Sequence, residues 1–224
     1  MAIHSRLLVH WTGKDIEEYA STEQPQKYVE RLRDDLKNGL YTKITSEDAI
    51  RKWKVKNLVR ICFTEVRLSQ AQTHARRYGR LGIGFTRDFV MDRGGRPAIY
   101  VPYAPKDDGR LLEDSIRTAY EKSQGEVQKS AKWILAHVKR MSDGRDEDYY
   151  EEMEWRLVWD GQSAHFKKDA AEGVYRLQLE ASDIKLIVLP DENTKRLSLG
   201  DDVIKEYFSK HLPMVTTLED CANF

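Results

Sequence analysis

Apolar positions along this chain follow two rhythms, and their succession predicts its elements. SRLLVHW (5–11) is a short apolar run broken by Thr12-Gly13-Lys14-Asp15, which reads as a buried strand. In PQKYVERLRDDLKNGL (25–40), Tyr28, Val29, Leu32 and Leu36 recur at helical spacing, and Gly39 stands where a C-terminal cap belongs. LVRICFTEV, within 56–66, has the pattern of a central strand. Residues 68–79 read as a helix closed by Gly79. LGIGFTRDFV (81–90) and PAIYVPY (97–103) read as two more strands, with Arg93-Gly94-Gly95-Arg96 turning between them.

From Arg110 to about Met141 the period lengthens. Leu112, Ile116, Tyr120, Val127, Ala131, Ile134, Leu135 and Val138 keep a 3.6-residue repeat, which predicts long amphipathic helix. Gly125 either breaks it or sits inside it at a cost of about 1 kcal/mol relative to alanine. The acidic connection SDGRDEDYYEE (142–152) leads to strands at 154–160, 174–179 and 183–190, then to a helix over roughly 200–211 and the tail PMVTTLEDCANF. No repeat or low-complexity linker divides the chain. The expectation is one α+β domain over 1–224, its mixed or antiparallel β core split by a helical excursion at about 110–141.

Composition narrows the function. The 37 basic and 37 acidic side chains cancel, so net charge gives no pull toward nucleic acid and leaves any such contact to local patches. Mean hydropathy is −0.67, and no apolar run approaches the roughly 20 residues that span a bilayer. MAIHSRLLVHW lacks a secretory pattern, and Cys62 and Cys221 form no disulfide framework, so a cytoplasmic setting without membrane contact is expected. Six scattered histidines show no H-x-x-x-H pair, and no metal is expected. Trp11, Trp53, Trp133, Trp155 and Trp159 lie in apolar-patterned segments and are expected in the core.

Four stretches could carry chemistry. Gly82-Ile83-Gly84 lacks the third glycine of a dinucleotide fingerprint and is no Walker loop. Gly79, Gly82 and Gly84 are therefore expected to serve positive φ or close backbone approach, with any ligand contact lateral, through His74, Tyr78 or Arg80. Strand alternation puts Glu152, Glu154 and Arg156 on one face. Carboxylates two residues apart sit about 7 Å from each other, so in a dry site they could act as acid and base or hold a ribose hydroxyl. An exposed strand edge with ordinary ion pairs is the alternative. His10-Trp11-Thr12 ends the first strand, where a histidine orients a substrate or fills a core position. His74, Arg76, Arg77 and Arg80 form a basic face followed by Tyr78, suited to phosphate or to the chain's many acids.

LLVHWTG, ICFTEVRLS, HARRYGRLGIGFTRDFVMDRGGRPAIYVP and EMEWRLV occur in that order. With them the sequence resembles the AbiGi family of bacterial abortive phage-resistance proteins, which in paired systems stand as antitoxins. The resemblance spans about residues 5 to 224 and is densest over 61–102. It implies a regulatory (antitoxin) or effector component of an antiphage system, with a toxin or another defence component as protein partner.

A more distant resemblance is to bacterial ADP-ribosyltransferases, which place a histidine or arginine on the first core strand and a glutamate, sometimes in an E-x-E pair, on a late one. It implies NAD as substrate, with Glu154 as the main catalytic carboxylate, Glu152 and His10 assisting, and Thr12, His74, Tyr78 and Arg80 around the dinucleotide. Glu154 would then stabilise the oxocarbenium-like transition state as nicotinamide leaves. The first strand has no central arginine, and Thr64-Glu65 stands where S-x-S or S-T-S is looked for. A fold repurposed without NAD chemistry would keep the same layout. The layout makes one geometric demand, that His10 and Glu154 open onto a common cleft.

Overall fold

The computed structural model describes residues 6–43, 58–65, 67–101, 111–141, 150–159, 161 and 163–223. Trp53, most of the acidic connection and the last two residues of PAIYVPY lie outside them. Among the described residues twelve strands are formed: β1 (Leu7–Thr12), β2 (Leu40–Lys43), β3 (Val59–Thr64), β4 (Leu81–Thr86), β5 (Arg96–Pro97), β6 (Ile99–Val101), β7 (Val138–Arg140), β8 (Glu154–Trp159), β9 (Phe166–Lys168), β10 (Val174–Leu177), β11 (Ile184–Leu189) and β12 (Met214–Thr217). The helices are α1 (Gln24–Asn38), α2 (Ala71–Tyr78), α3 (Arg87–Asp92), α4 (Leu111–Lys122), α5 (Gly125–His137), α6 (Glu192–Gly200), α7 (Asp202–Lys210) and α8 (Leu218–Cys221).

Seven strands make the main sheet in the order β12-β11-β4-β1-β3-β8-β5. Every neighbouring pair is antiparallel except β11 and β12. Strands β2-β10-β9 form a small sheet, and β6 pairs in parallel with β7. The α+β class and the mixed core interrupted by helices are as the sequence predicts. No helix among the described residues is long and apolar enough to cross a membrane.

Alternation assigns the two faces of the main sheet. Leu8, Ile61, Phe63, Ile83, Phe85, Leu157 and Ile187 point to the larger core, which Tyr28, Val29, Leu32 and Leu36 of α1 and Ile204 and Phe208 of α7 complete. The opposite face carries Val9, Trp11, Leu186 and Val188, covered by Ala71 and Ala75 of α2 and by Leu218 and Cys221 of α8. A third cluster (Leu58, Val101, Leu135, Ala136 and Val138) seats the helical excursion against Val158 of β8.

The glycines now have their roles. A Cβ on Gly82 would lie 2.9 Å from the Trp11 ring, and one on Gly84 would lie 2.7 Å from Leu186 Cβ. Both make room for large side chains on neighbouring strands. Gly79 combines φ +111 with close approach, since its Cβ would fall 2.2 Å from the Thr12 carbonyl oxygen.

Several elements differ from expectation. RDFV is helical, because the Thr86 hydroxyl accepts the Phe89 N–H at 3.1 Å and starts α3. The long helix breaks at Gly125, whose φ is +62. Beyond the break Val127 is 60% exposed and Trp133 is also exposed, its ring against His137 rather than in the core. The helix expected over roughly 200–211 is α7, and α6 ahead of it was not anticipated; each is capped by an aspartate, Asp201 and Asp191. Strands β2, β7, β9 and β12 were not anticipated: LYTK, VKR, FKK and MVTT are too short to show a period, and Val138, expected in the helix, opens β7 instead.

Candidate functional site: a buried carboxylate cluster

Glu154 opens β8, directly opposite Thr64 of β3. Glu152 ends a short 3-10 turn, Tyr150–Glu152. Between them Met153 takes φ +43, a value rare outside glycine, and its carbonyl accepts the Glu65 N–H at 3.2 Å. A turn, rather than the strand alternation expected, therefore brings the two carboxylates together.

Their partners come from three elements. Lys139 of β7 donates from Nζ to Oε2 of both glutamates. Arg156, two residues along β8, donates from Nε to Glu154 Oε1 at 2.5 Å. Its Nη1 reaches the carbonyls of Ala136 (2.8 Å) and Val138 (2.9 Å), tying the cluster to the helical excursion. From α2, Arg77 Nη1 (3.0 Å) and the Tyr78 hydroxyl (2.5 Å) both donate to Glu152 Oε1. Tyr100 accepts the Glu154 N–H at 2.7 Å. Glu152 is 1%, Glu154 4% and Arg156 1% exposed.

Burial pushes the Glu154 carboxyl up, but Arg156 and Lys139 outweigh it and hold the group well below the usual carboxylate range. Burial likewise pulls Lys139 down, and Glu154 and Glu152 more than reverse this, so its ammonium stays charged. The Tyr78 phenol is driven well above its ordinary value by burial and by the charge of Glu152. Beside them on α2, His74 is lowered to about 4 by burial, then by Arg77 and Lys139. Its buried Nδ1 has no hydrogen-bond partner among the described residues. Every carboxylate oxygen of Glu152 and Glu154 is engaged by a donor, and Glu154 is fixed as an anion. Such a site holds charge in place and is poorly suited to trading a proton near neutral pH.

The predicted site residues divide into three groups. Glu152, Glu154 and Tyr78 meet, with His74 alongside. His10 does not join them: it pairs in register with Ile83 on the larger-core face, whereas Glu154 pairs with Thr64, itself opposite Val9, on the other face. The common cleft that the transferase layout demands is therefore not formed by these two residues. His10 Nδ1 donates to the Cys62 carbonyl at 2.9 Å, and its ring meets Phe63 edge-on. Burial lowers its pKa, against the Cys62 carbonyl and with Arg31. Thr12, at the end of the same strand, accepts from Arg31 Nη1 at 3.0 Å. Arg80 lies elsewhere, bonded to the Pro190 carbonyl at 3.3 Å and lining a separate cleft of about 420 Å³. Lys139 is the member that sequence reasoning missed. It follows the helical excursion in V-K-R, where no spacing singles it out, whereas Arg156 was visible in E-x-E-W-R.

A family model described as "Putative abortive phage resistance protein AbiGi, antitoxin" matches residues 38–190. No curated protein matches the chain. Among solved structures, DarT from Thermus sp. 2.9 in complex with carba-NAD+ is similar at 13% identity over 96% of this chain and 97% of that one, with a TM-score of 0.39. The same protein in complex with NAD+ aligns at 10% identity over 96% of each chain, again at 0.39. A TM-score at that level is too low to carry fold or chemistry across.

Proposed function

This chain belongs to the AbiGi family of abortive phage-resistance proteins, and on that premise we propose that it is the antitoxin-side component of its system, binding a protein partner without turning over NAD. One observation carries the reading: Lys139, Arg156, Arg77 and Tyr78 occupy all the carboxylate oxygens of Glu152 and Glu154. A ribose hydroxyl seeking Glu154 would have to displace a buried cation, and stripping one partner from a buried pair costs about 3–5 kcal/mol. The network works instead as a rigid clamp between β8, β7 and α2.

A second reading, an NAD-consuming ADP-ribosyltransferase-like enzyme with Glu154 as key carboxylate, has one observation in its favour. Glu154 is held ionised, the state needed to stabilise an oxocarbenium ion. Nicotinamide release from NAD, followed in the purified chain and in Glu154→Gln, separates the two. The antitoxin reading expects no release from either, and no growth arrest when the chain is expressed alone. Release by the native chain that is lost in Glu154→Gln would overturn it.

A further inference from the structure

We propose a second site, remote in function from the carboxylate cluster: the cleft at the carboxyl ends of β11 and β12 binds a small phosphate-bearing ligand of nucleotide size. Its volume of about 420 Å³ falls within the roughly 300–1,000 Å³ of small-molecule sites. β11 and β12 are the parallel pair of the main sheet, and both hand over to helices at this end, β11 through Asp191 and β12 through Thr217. Crevices outside the carboxyl ends of parallel strands are where open sheets place their ligands.

The charges lining the cleft are unequally committed. Glu17 accepts from Lys14 Nζ at 2.7 Å, and Lys14 also donates to the Arg76 carbonyl at 2.6 Å. Asp191 uses Oδ1 to cap α6, accepting from the Thr194 N–H at 2.8 Å and hydroxyl at 3.0 Å. The guanidiniums stand apart from this. Arg76 is exposed, and no described residue accepts from its side chain, while Arg80 has its single bond to the Pro190 carbonyl. Neither is ion-paired with a carboxylate among the described residues.

These two arginines straddle Gly79, whose positive φ and contact with the Thr12 carbonyl pin the turn against the end of β1. They are thus presented from a rigid frame. A guanidinium recognises phosphate by bidentate hydrogen bonding, and both of these line the cleft. Glu219, like Asp191 without an ion pair among the described residues but with no capping bond from its side chain, supplies an acceptor for a sugar hydroxyl, and Ala75 and Leu218 supply an apolar wall. Arg77, between the two, turns to Glu152 instead, so one basic run serves two sites.

The test is calorimetric titration of the full chain, at low ionic strength, with ADP, inorganic pyrophosphate and adenosine in separate experiments. Saturable binding of ADP and pyrophosphate is expected, with adenosine weaker by at least about tenfold. Arg76→Gln and Arg80→Gln should each weaken ADP by about tenfold or more, while Arg196→Gln, outside the cleft, leaves it unchanged. The Arg76 side chain has no hydrogen-bond or ion-pair partner among the described residues, and the Arg76 carbonyl that Lys14 uses is kept in the variant, so the variant reads the site and not stability. No saturable binding of ADP or pyrophosphate at about 1 mM, adenosine binding as tight as ADP, or indifference to Arg76→Gln would each overturn the proposal. Since binding and not turnover is read, the result is independent of the NAD experiment above.

Discussion

Asp35 of α1 is 2% exposed, and its Oδ2 has no hydrogen-bond partner among the described residues. Burial raises its carboxyl from the usual 3.8 to about 7, despite the opposing charges of Arg31 and Arg176. The native chain therefore holds this proton more tightly than the unfolded chain. Between about pH 4 and pH 7 the native state carries the extra proton, so stability falls as pH rises through that window, and the full penalty stands above about pH 7. Each pH unit of difference is about 1.4 kcal/mol, which makes the penalty about 4 kcal/mol. Asp35→Asn cannot ionise. Its stability relative to the native chain should climb by up to about 4 kcal/mol between pH 4 and pH 8. A fixed destabilising offset of about 1–3 kcal/mol is expected as well, because the amide nitrogen placed at the Oδ2 position would be buried without a partner. Urea unfolding followed by tryptophan fluorescence, at constant ionic strength across that range, measures it. Subtracting the two curves cancels every other titrating group, so only the slope matters. A difference that is flat to within about 0.5 kcal/mol, or that falls with pH, refutes the reasoning.

His74 works in the opposite sense. Its folded pKa of about 4 lies below the usual 6.5, so its contribution is complete above pH 6.5 and is lost as pH falls toward 4, by about 3 kcal/mol. The same urea series on His74→Gln should show the variant gaining on the native chain as pH drops. Arg156→Met leaves buried Glu154 with Lys139 as its only ion-pair partner among the described residues and frees the Ala136 and Val138 carbonyls, and should cost about 3–5 kcal/mol in urea unfolding. Adding Glu154→Gln to it should restore part of the loss, and a double variant no better than the single one would argue against a coupled pair. Gly84→Ala drives a methyl to 2.7 Å from Leu186 Cβ and should lower stability by about 1–3 kcal/mol. Met153→Gly relieves the positive φ and should raise it by about 0.5–1 kcal/mol, read as a higher melting temperature.

Much of the frame was legible because its signals are local. Tyr28, Val29, Leu32 and Leu36 announce α1 by period alone, and Gly39 and Gly79 announce where helices stop. The glycines at 82 and 84 could be read as making room, but what they make room for, Trp11 and Leu186, depends on which strands flank β4, and no local pattern gives that. The carboxylates were legible as a pair and not as a network. Glu152 and Glu154 are close in sequence, whereas Lys139 and Tyr78 arrive through the fold. The expected meeting of His10 with Glu154 failed on parity. Each residue sits on the strand assigned to it, but a single step of register decides which face a side chain takes.

The order of strands also sets a clock. β4 ends at Thr86, yet its partner β11 begins only at Ile184. At a synthesis rate of roughly 5–20 residues per second, the nascent chain waits on the order of 5–20 s with one side of LGIGFT unpaired. Pairings this distant are slow to form even in a finished chain, and a bare apolar strand edge invites association with other chains. The supply of folded molecules therefore lags translation, so a sudden demand has to be met from copies already complete.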